Sequence, residues 1–172
     1  MFRKFYPSAY LDSAYVIDFE QLKKDGFAGV IFDIDNTLVM HGEPADARAL
    51  ELFQKLCALG FDTCLLSNNK RPRVESFANQ VSSKFIFKAD KPSVKGYEKA
   101  MELMGTDRQN TIFVGDQLFT DVFGANRAGL RTILVKPINP REEIQIVLKR
   151  YLEKIVLFFY KRSLKKGKEA VK

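Results

Sequence analysis

Histidine and cysteine are nearly absent from this chain: one His (His41) and two Cys (Cys57 and Cys64) in 172 residues. A structural zinc centre takes about four such ligands, so that class is excluded. A Ser-His-Asp triad would have to use His41, which lies in an apparent turn beside Gly42, and it is set aside. The two cysteines, seven apart on a predicted helix and the strand after it, read as buried thiols in a reducing compartment. Long apolar runs are missing too. None approaches the roughly 18 residues of a membrane-spanning helix, and the basic, aromatic N-terminus lacks the apolar centre of a secretion signal. The expected location is therefore the cytoplasm. What the chain does not lack is positive charge, with a formal net of +7. That excess points to an anionic partner: nucleic acid, a phosphorylated substrate or a membrane surface. Residues 161–172 hold six basic residues against Glu169 alone, five of those seven net charges.

The length suits one domain with a substantial core, and the 46% hydrophobic content suits a globular protein. There is no internal repeat and no low-complexity linker. Residues 1–17 are aromatic and irregular. Asp18-Phe19-Glu20-Gln21 resembles a capping box that opens a short helix ending at Gly26. A strand is predicted over 28–32. Pro44 opens a helix at its first position, with a stripe of Leu50, Phe53, Leu56 and Cys57 and a stop at Gly60. Strands over 61–66, 85–87, 111–114 and 132–135 then alternate with helices over 72–80, 92–104 and 121–128. This alternation predicts an α/β fold, a Rossmann-like three-layer sandwich around a mainly parallel sheet. An extra helix is predicted over 141–164. The organisation expected is an N-terminal segment (1–27), a catalytic unit (28–136) and a C-terminal helix with a basic tail (137–172).

Polar clusters fall at the predicted strand ends, where ligands of such sheets gather. Asp33 and Asp35 follow the first strand. Residues two apart share a strand face, so both carboxylates can aim at one point, and so close a pair calls for a cation or a shared proton. Ser67-Asn68-Asn69 ends the second strand with a hydroxyl and backbone N–H groups suited to phosphate oxygens. Lys91 follows the third as a point charge for a transferring phosphoryl group. Gly115 permits close backbone approach after the fourth, and Asp116 and Asp121 add two carboxylates at the same edge. Each cluster has a plain structural reading as a turn, a cap or a solvated side chain. Those readings do not explain why every strand end carries such chemistry in sequence order.

Taken together, Asp33-x-Asp35-x-Thr37, Ser67-Asn68, Lys91-Pro92 and Gly115-Asp116-x4-Asp121 resemble the four motifs of the haloacid dehalogenase-like (HAD) phosphohydrolases. The resemblance covers about residues 28–136. It implies that Asp33 is the nucleophile, forming an aspartyl-phosphate, and that Asp35 is the general acid and then base. It implies Mg²⁺ held by Asp33, the main-chain carbonyl of Asp35, and Asp116, with Asp121 supporting that shell. Ser67, Asn68 and Lys91 would orient the phosphoryl group. An Asp at position 35 matches the family's phosphatases, whereas its ion-pumping ATPases carry Thr there and its dehalogenases lack the acid.

Family members commonly choose substrates with an inserted cap domain, and neither gap between motifs has room for one. An uncapped site suits a substrate presented on a large surface, or a second subunit that completes it. The C-terminal helix bears a stripe of Ile144, Val147, Leu148, Tyr151, Leu152, Ile155 and Phe159. Its segment 155–160 is apolar all round and is followed at once by the lysines, which suits an interfacial anchor on anionic lipid. A dimer interface or a longer core helix would give the same pattern. The whole resembles the uncapped YqeG-type branch, which is similar to the mitochondrial and plastid phosphatidylglycerophosphatases. This implies removal of phosphate from phosphatidylglycerophosphate by a protein lying peripherally on the inner face of the membrane. Lys70, Arg71 and Arg73 would then meet a second phosphate or the bilayer, unless they are simply solvated. The rival expectations are a soluble phosphatase of small metabolites and a nucleic-acid or ribosome-associated protein. Binding to nucleic acid would fall steeply with salt, whereas an apolar anchor retains part of its binding.

Overall fold

The computed structural model describes residues 2–139 and 144–169, with side chains over 2–139 and 151–165. Six strands, β1 (Ala9–Leu11), β2 (Gly29–Phe32), β3 (Asp62–Leu66), β4 (Lys84–Ile86), β5 (Thr111–Gly115) and β6 (Arg131–Val135), form one sheet in the order β1-β6-β5-β2-β3-β4. Every pairing is parallel. β2 and β5 lie side by side at the centre and are buried along their whole length, as continuous apolar strands of a covered sheet must be.

Alternation along the strands divides the core in two. Val30 and Phe32 face α1 (Phe19–Lys24), α2 (Ala47–Ala58) and α3 (Arg71–Val81), whereas Ile31 faces α4 (Val94–Met104) and α5 (Phe123–Arg127). The expected three-layer α/β architecture is therefore present. Among the described residues only α2 and β3 separate the first two polar clusters, only α3 and β4 the next two, and no cap domain is inserted.

Local differences have identifiable causes. α2 starts at Ala47, not near Pro44, because the Asp46 side chain accepts from the Ala49 N–H at 2.9 Å and caps the helix there. Its buried seam is Ala49, Leu52, Phe53 and Leu56, leaving Leu50 and Cys57 exposed. The seam keeps i, i+3, i+4, i+7 spacing, and the small Ala49 fills the place assigned to Leu50. The N-terminal segment, expected to be irregular, supplies edge strand β1, whose three residues pair with β6 from Ala9↔Ile133 to Leu11↔Val135. A wide π-type turn, Leu118–Val122, precedes α5 where a single helix was expected.

The C-terminal helix is α6 (Ile144–Glu169). Its inward face is not the predicted stripe. Glu153, Val156 and Tyr160 are buried, whereas Tyr151, Leu152, Ile155 and Phe159 are exposed, and the side chains of Ile144, Val147 and Leu148 lie outside those described. Val156 joins Leu118, Val122 and Leu134 in a small third core, edged by Phe5, Tyr6 and Tyr10. Tyr6 meets Tyr160 edge to face at 5.3 Å. The inward face includes Glu153, a polar residue that hydrophobic spacing does not reveal. No described helix is long and apolar enough to cross a membrane.

The two thiols differ, contrary to the expectation that both are buried. Cys57 is exposed, while Cys64 is enclosed in β3 with burial pushing its thiol up to about 12. Since the thiolate is the reactive species, one thiol per native chain should react with a thiol-specific reagent at pH 8, and two in denaturant. Rapid reaction of both in the native protein would contradict this packing.

Candidate active site

The chain leaves β2 for β3 and β4 on one side, then returns to β5 and β6 on the other. The crevice at the carboxyl ends of β2 and β5 is thus the switch point where such sheets bind ligands. Asp33 stands immediately past β2, held by its N–H donating to the Val114 carbonyl at 2.9 Å. The chain then winds tightly. Thr37 and Leu38 N–H groups both donate to the Ile34 carbonyl, and Asn36 adopts a positive φ of 64°. Buried Ile34 and Leu38 pin this turn to the core.

Lys91 is the centre of the site. Its ammonium donates to Asp33 Oδ1 and to Asp121 Oδ1, each at 2.7 Å, and all three side chains are buried. Asn68 fastens the lysine's backbone from both sides: its Oδ1 accepts from Lys91 N–H at 2.8 Å, and its amide donates to the Lys91 carbonyl at 3.2 Å. Thr37 Oγ1 lies 3.4 Å from Asp33 Oδ2 and 3.3 Å from Asp116 Oδ1, tying the two strand ends together. The Asp121 carboxylate also accepts from the Gln117 N–H at 3.1 Å. Gly115 is required here, because a Cβ on it would stand 2.5 Å from Asp121 Oδ2.

Asp33, Asp116 and Asp121 each present a ligand oxygen within 4.8 Å of the others. Three carboxylates against one ammonium leave an excess of two negative charges, and hard oxygen donors with that charge fit a divalent cation such as Mg²⁺. Burial dominates at Asp33, outweighing Lys91, and with Asp121 alongside pushes its carboxyl up to about 7. Burial alone would lower the Lys91 ammonium, but Asp121 and Asp33 raise it above its usual range, so it stays charged.

Asp35 lies outside that cluster. Its Oδ2 accepts from Asn69 Nδ2 at 2.6 Å, and its Oδ1 accepts from Gly42 N–H at 2.8 Å and Arg73 Nη2 at 2.9 Å. The strand stops at Phe32, and the tight turn after it gives the Asp35 carboxylate donors of its own. Arg73, expected at a second phosphate, the bilayer or in solvent, instead pairs with Asp35 and leans on Phe77. His41 is exposed, 3.9 Å from Asp35. Ser67 is buried, its Oγ accepting from Asn69 N–H at 3.2 Å. Lys91 and all four expected aspartates thus gather at one sheet edge with Ser67 and Asn68. Asn69 and Arg73, marked in the sequence as phosphate or membrane contacts, both donate to Asp35.

A HAD-hydrolase-like family model matches residues 89–140. The probable phosphatase YqeG of Bacillus subtilis is 35% identical over 165 residues, covering 95% of this chain and 96% of that protein. The chain belongs to the HAD-like phosphatases. This phosphatase is also 30% identical over 165 residues to the chloroplastic/mitochondrial phosphatidylglycerophosphate phosphatase 1 of Arabidopsis thaliana, covering 90% of this chain but 47% of that one. Among solved structures, the cobalt-bound deoxy-D-mannose-octulosonate 8-phosphate phosphatase of Haemophilus influenzae aligns with a TM-score of 0.54 at 16% identity, covering 67% of this chain and 81% of that one. A Corynebacterium glutamicum protein aligns at 0.51 and 22% identity, covering 72% and 95%. These two likenesses concern the fold.

A buried carboxyl whose folded value (about 7) lies above its unfolded one (3.8) contributes stability that is present at low pH. That stability is lost as pH rises through the folded value. In chelator, the urea midpoint of the HAD phosphatase should therefore fall between pH 4 and pH 7 relative to Asp33→Asn, which cannot ionise. Divalent cation should restore the midpoint at pH 7. An opposite slope would contradict the burial of charge at Asp33.

Proposed function

We propose that this HAD phosphatase hydrolyses phosphomonoesters through an aspartyl-phosphate on Asp33, and that its substrate is phosphatidylglycerophosphate presented at an anionic lipid surface. The observation that carries the chemistry is the buried Asp33–Lys91–Asp121 chain of 2.7 Å contacts opening onto an uncapped crevice. Asp33 attacks phosphorus as the bond to the leaving oxygen breaks, and Asp35 gives that oxygen a proton. Asp35 then takes a proton from the water that attacks the acyl-phosphate, returning Asp33 and inorganic phosphate. Lys91, with Ser67 and Asn68 beside it, orients the phosphoryl oxygens, while Asn69 and Arg73 hold Asp35 toward the leaving group. Asp33, the main-chain carbonyl of Asp35, and Asp116 are the groups that would hold Mg²⁺, with Asp121 behind them. When bound, the ion supplies positive charge against the phosphoryl oxygens.

Two observations support the lipid substrate. One is the 30% identity to the Arabidopsis protein named for that activity. The other is the outer face of α6, where Tyr151, Leu152, Ile155, Phe158 and Phe159 are exposed beside Lys161, Arg162 and Lys165. An amphipathic helix with that composition suits peripheral binding to anionic bilayers. In this reading residues 28–136 perform the chemistry, 1–27 brace the sheet edge and 137–172 meet the membrane.

A phosphate-release screen should rank phosphatidylglycerophosphate in vesicles above sugar phosphates, nucleotides and glyceraldehyde 3-phosphate, with activity requiring Mg²⁺. Asp33→Asn should lower turnover by at least about 10³-fold while leaving the fold intact. A preference for a small soluble phosphate would replace the lipid assignment, and unimpaired Asp33→Asn would sink the acyl-phosphate.

Because α6 contributes Val156 and Tyr160 to the core, membrane contact is better tested on its outer face than by truncation. Replacing Tyr151, Ile155 and Phe158 together by Ser should abolish sedimentation with anionic vesicles and leave hydrolysis of a soluble aryl phosphate unchanged. Undiminished sedimentation would show that this face is not the contact.

A further inference from the structure

The Leu118–Val122 turn lies between two members of the acidic cluster, following Asp116 and carrying Asp121. The first amides of such a turn have no main-chain partner within it and need other acceptors. Two successive amides find carboxylates. Gln117 N–H donates to Asp121 Oδ2 at 3.1 Å, and Leu118 N–H donates to Glu153 Oε1 at 2.8 Å. Glu153 comes from α6, 35 residues further along the chain, and is only 6% exposed.

A helix that merely covered this flank would be expected to present an apolar side chain there. The same face of α6 offers Val156 and Tyr160, and Leu118, Val122 and Leu134 surround the contact. Placing a carboxylate in that setting is costly unless it is well satisfied, and a charge-assisted bond to a main-chain amide satisfies it. The bond fastens the backbone of the one turn that must hold Asp121 2.7 Å from Lys91.

We propose that Glu153 is a positioning residue for the acidic cluster. By accepting from Leu118 N–H it fixes the turn between Asp116 and Asp121, and so sets how tightly the cluster takes a divalent cation. This rests on the metal-dependent reading above. It also links the two faces of α6: the helix whose outer side is exposed holds the turn before Asp121 with its inner side.

The test compares Glu153→Ala with Glu153→Gln in the full chain. The glutamine keeps an oxygen that can accept from Leu118 N–H. Two quantities are read: the free Mg²⁺ giving half-maximal hydrolysis of an aryl phosphate, and the Mg²⁺ giving half of the ion's thermal stabilisation, which needs no turnover. Glu153→Ala should raise both by about tenfold, the scale set by one buried amide left unpaired, and Glu153→Gln should stay near wild type. A Glu153→Ala protein that melts earlier with unchanged Mg²⁺ dependence would overturn the proposal in favour of simple packing. So would a Gln variant as impaired as the Ala variant. If Glu153→Ala does not fold, amide exchange in the wild-type chain decides: rapid exchange at Leu118 amid a protected turn overturns the proposal. A wild-type protein indifferent to Mg²⁺ would sink the metal reading instead, a failure visible before any variant is made.

Discussion

A lysine ammonium withdrawn from water needs negative charge close by, and Lys91 meets that need with two carboxylates from different parts of the fold. Asp33 arrives on the end of β2, Asp121 on the turn after β5, and Lys91 on the loop before α4. Removing one partner from a buried pair typically costs about 3–5 kcal/mol, because the other charge is left uncompensated, so the three segments must keep their relative positions. The surroundings answer to the same constraint. Asn68 grips the lysine's main chain, Gly115 leaves room for Asp121, and Tyr97 donates toward the carbonyls of Thr120 and Asp121. Gly124 in turn must be a glycine, because a Cβ there would meet the Tyr97 hydroxyl at 2.5 Å. Polar centre and packed layers are one arrangement.

The excess negative charge gives this arrangement its chemistry. Asp33 is held where ionisation is costly and where added positive charge would restore it, whereas Asp35, a turn away, is held by neutral and cationic donors. Two aspartates separated by one residue thus have different partners, Lys91 for Asp33 and the Asn69, Gly42 and Arg73 donors for Asp35.

The strands were legible because Val30–Phe32 and Ile112–Val114 are short apolar runs followed by aspartate or glycine and alternating with helical patterns, as covered parallel strands do. The site residues were legible for the same reason, since each follows such a run. Other features carried no comparable signal. β1 is three residues long, too short for alternation to appear, and owes its conformation to β6. Asn69 and Arg73 stood out only as contacts for phosphate or membrane, and the winding of the Asp33–Val39 turn is what gives them Asp35 as partner. Along α6 apolar residues occur on every side, so spacing cannot select a face. The buried face includes a glutamate. Cys57 was misjudged because cysteine is usually buried, and nothing local marks the side of α2 on which it falls.

The edge strand β1 has a consequence for how the chain is made. Its neighbour in the sheet is β6, with Ala9 beside Ile133. During synthesis at roughly 5–20 residues per second, the first strand to emerge must wait for the last before it has a hydrogen-bonding partner. In that interval β2 and β3 can already pair, while the aromatic residues around β1 stay uncovered. Closing so long a loop is a late event with a large entropic cost. β1 is therefore among the last strands to find its place, and Phe5, Tyr6 and Tyr10 gain their packing only when β6 and α6 arrive.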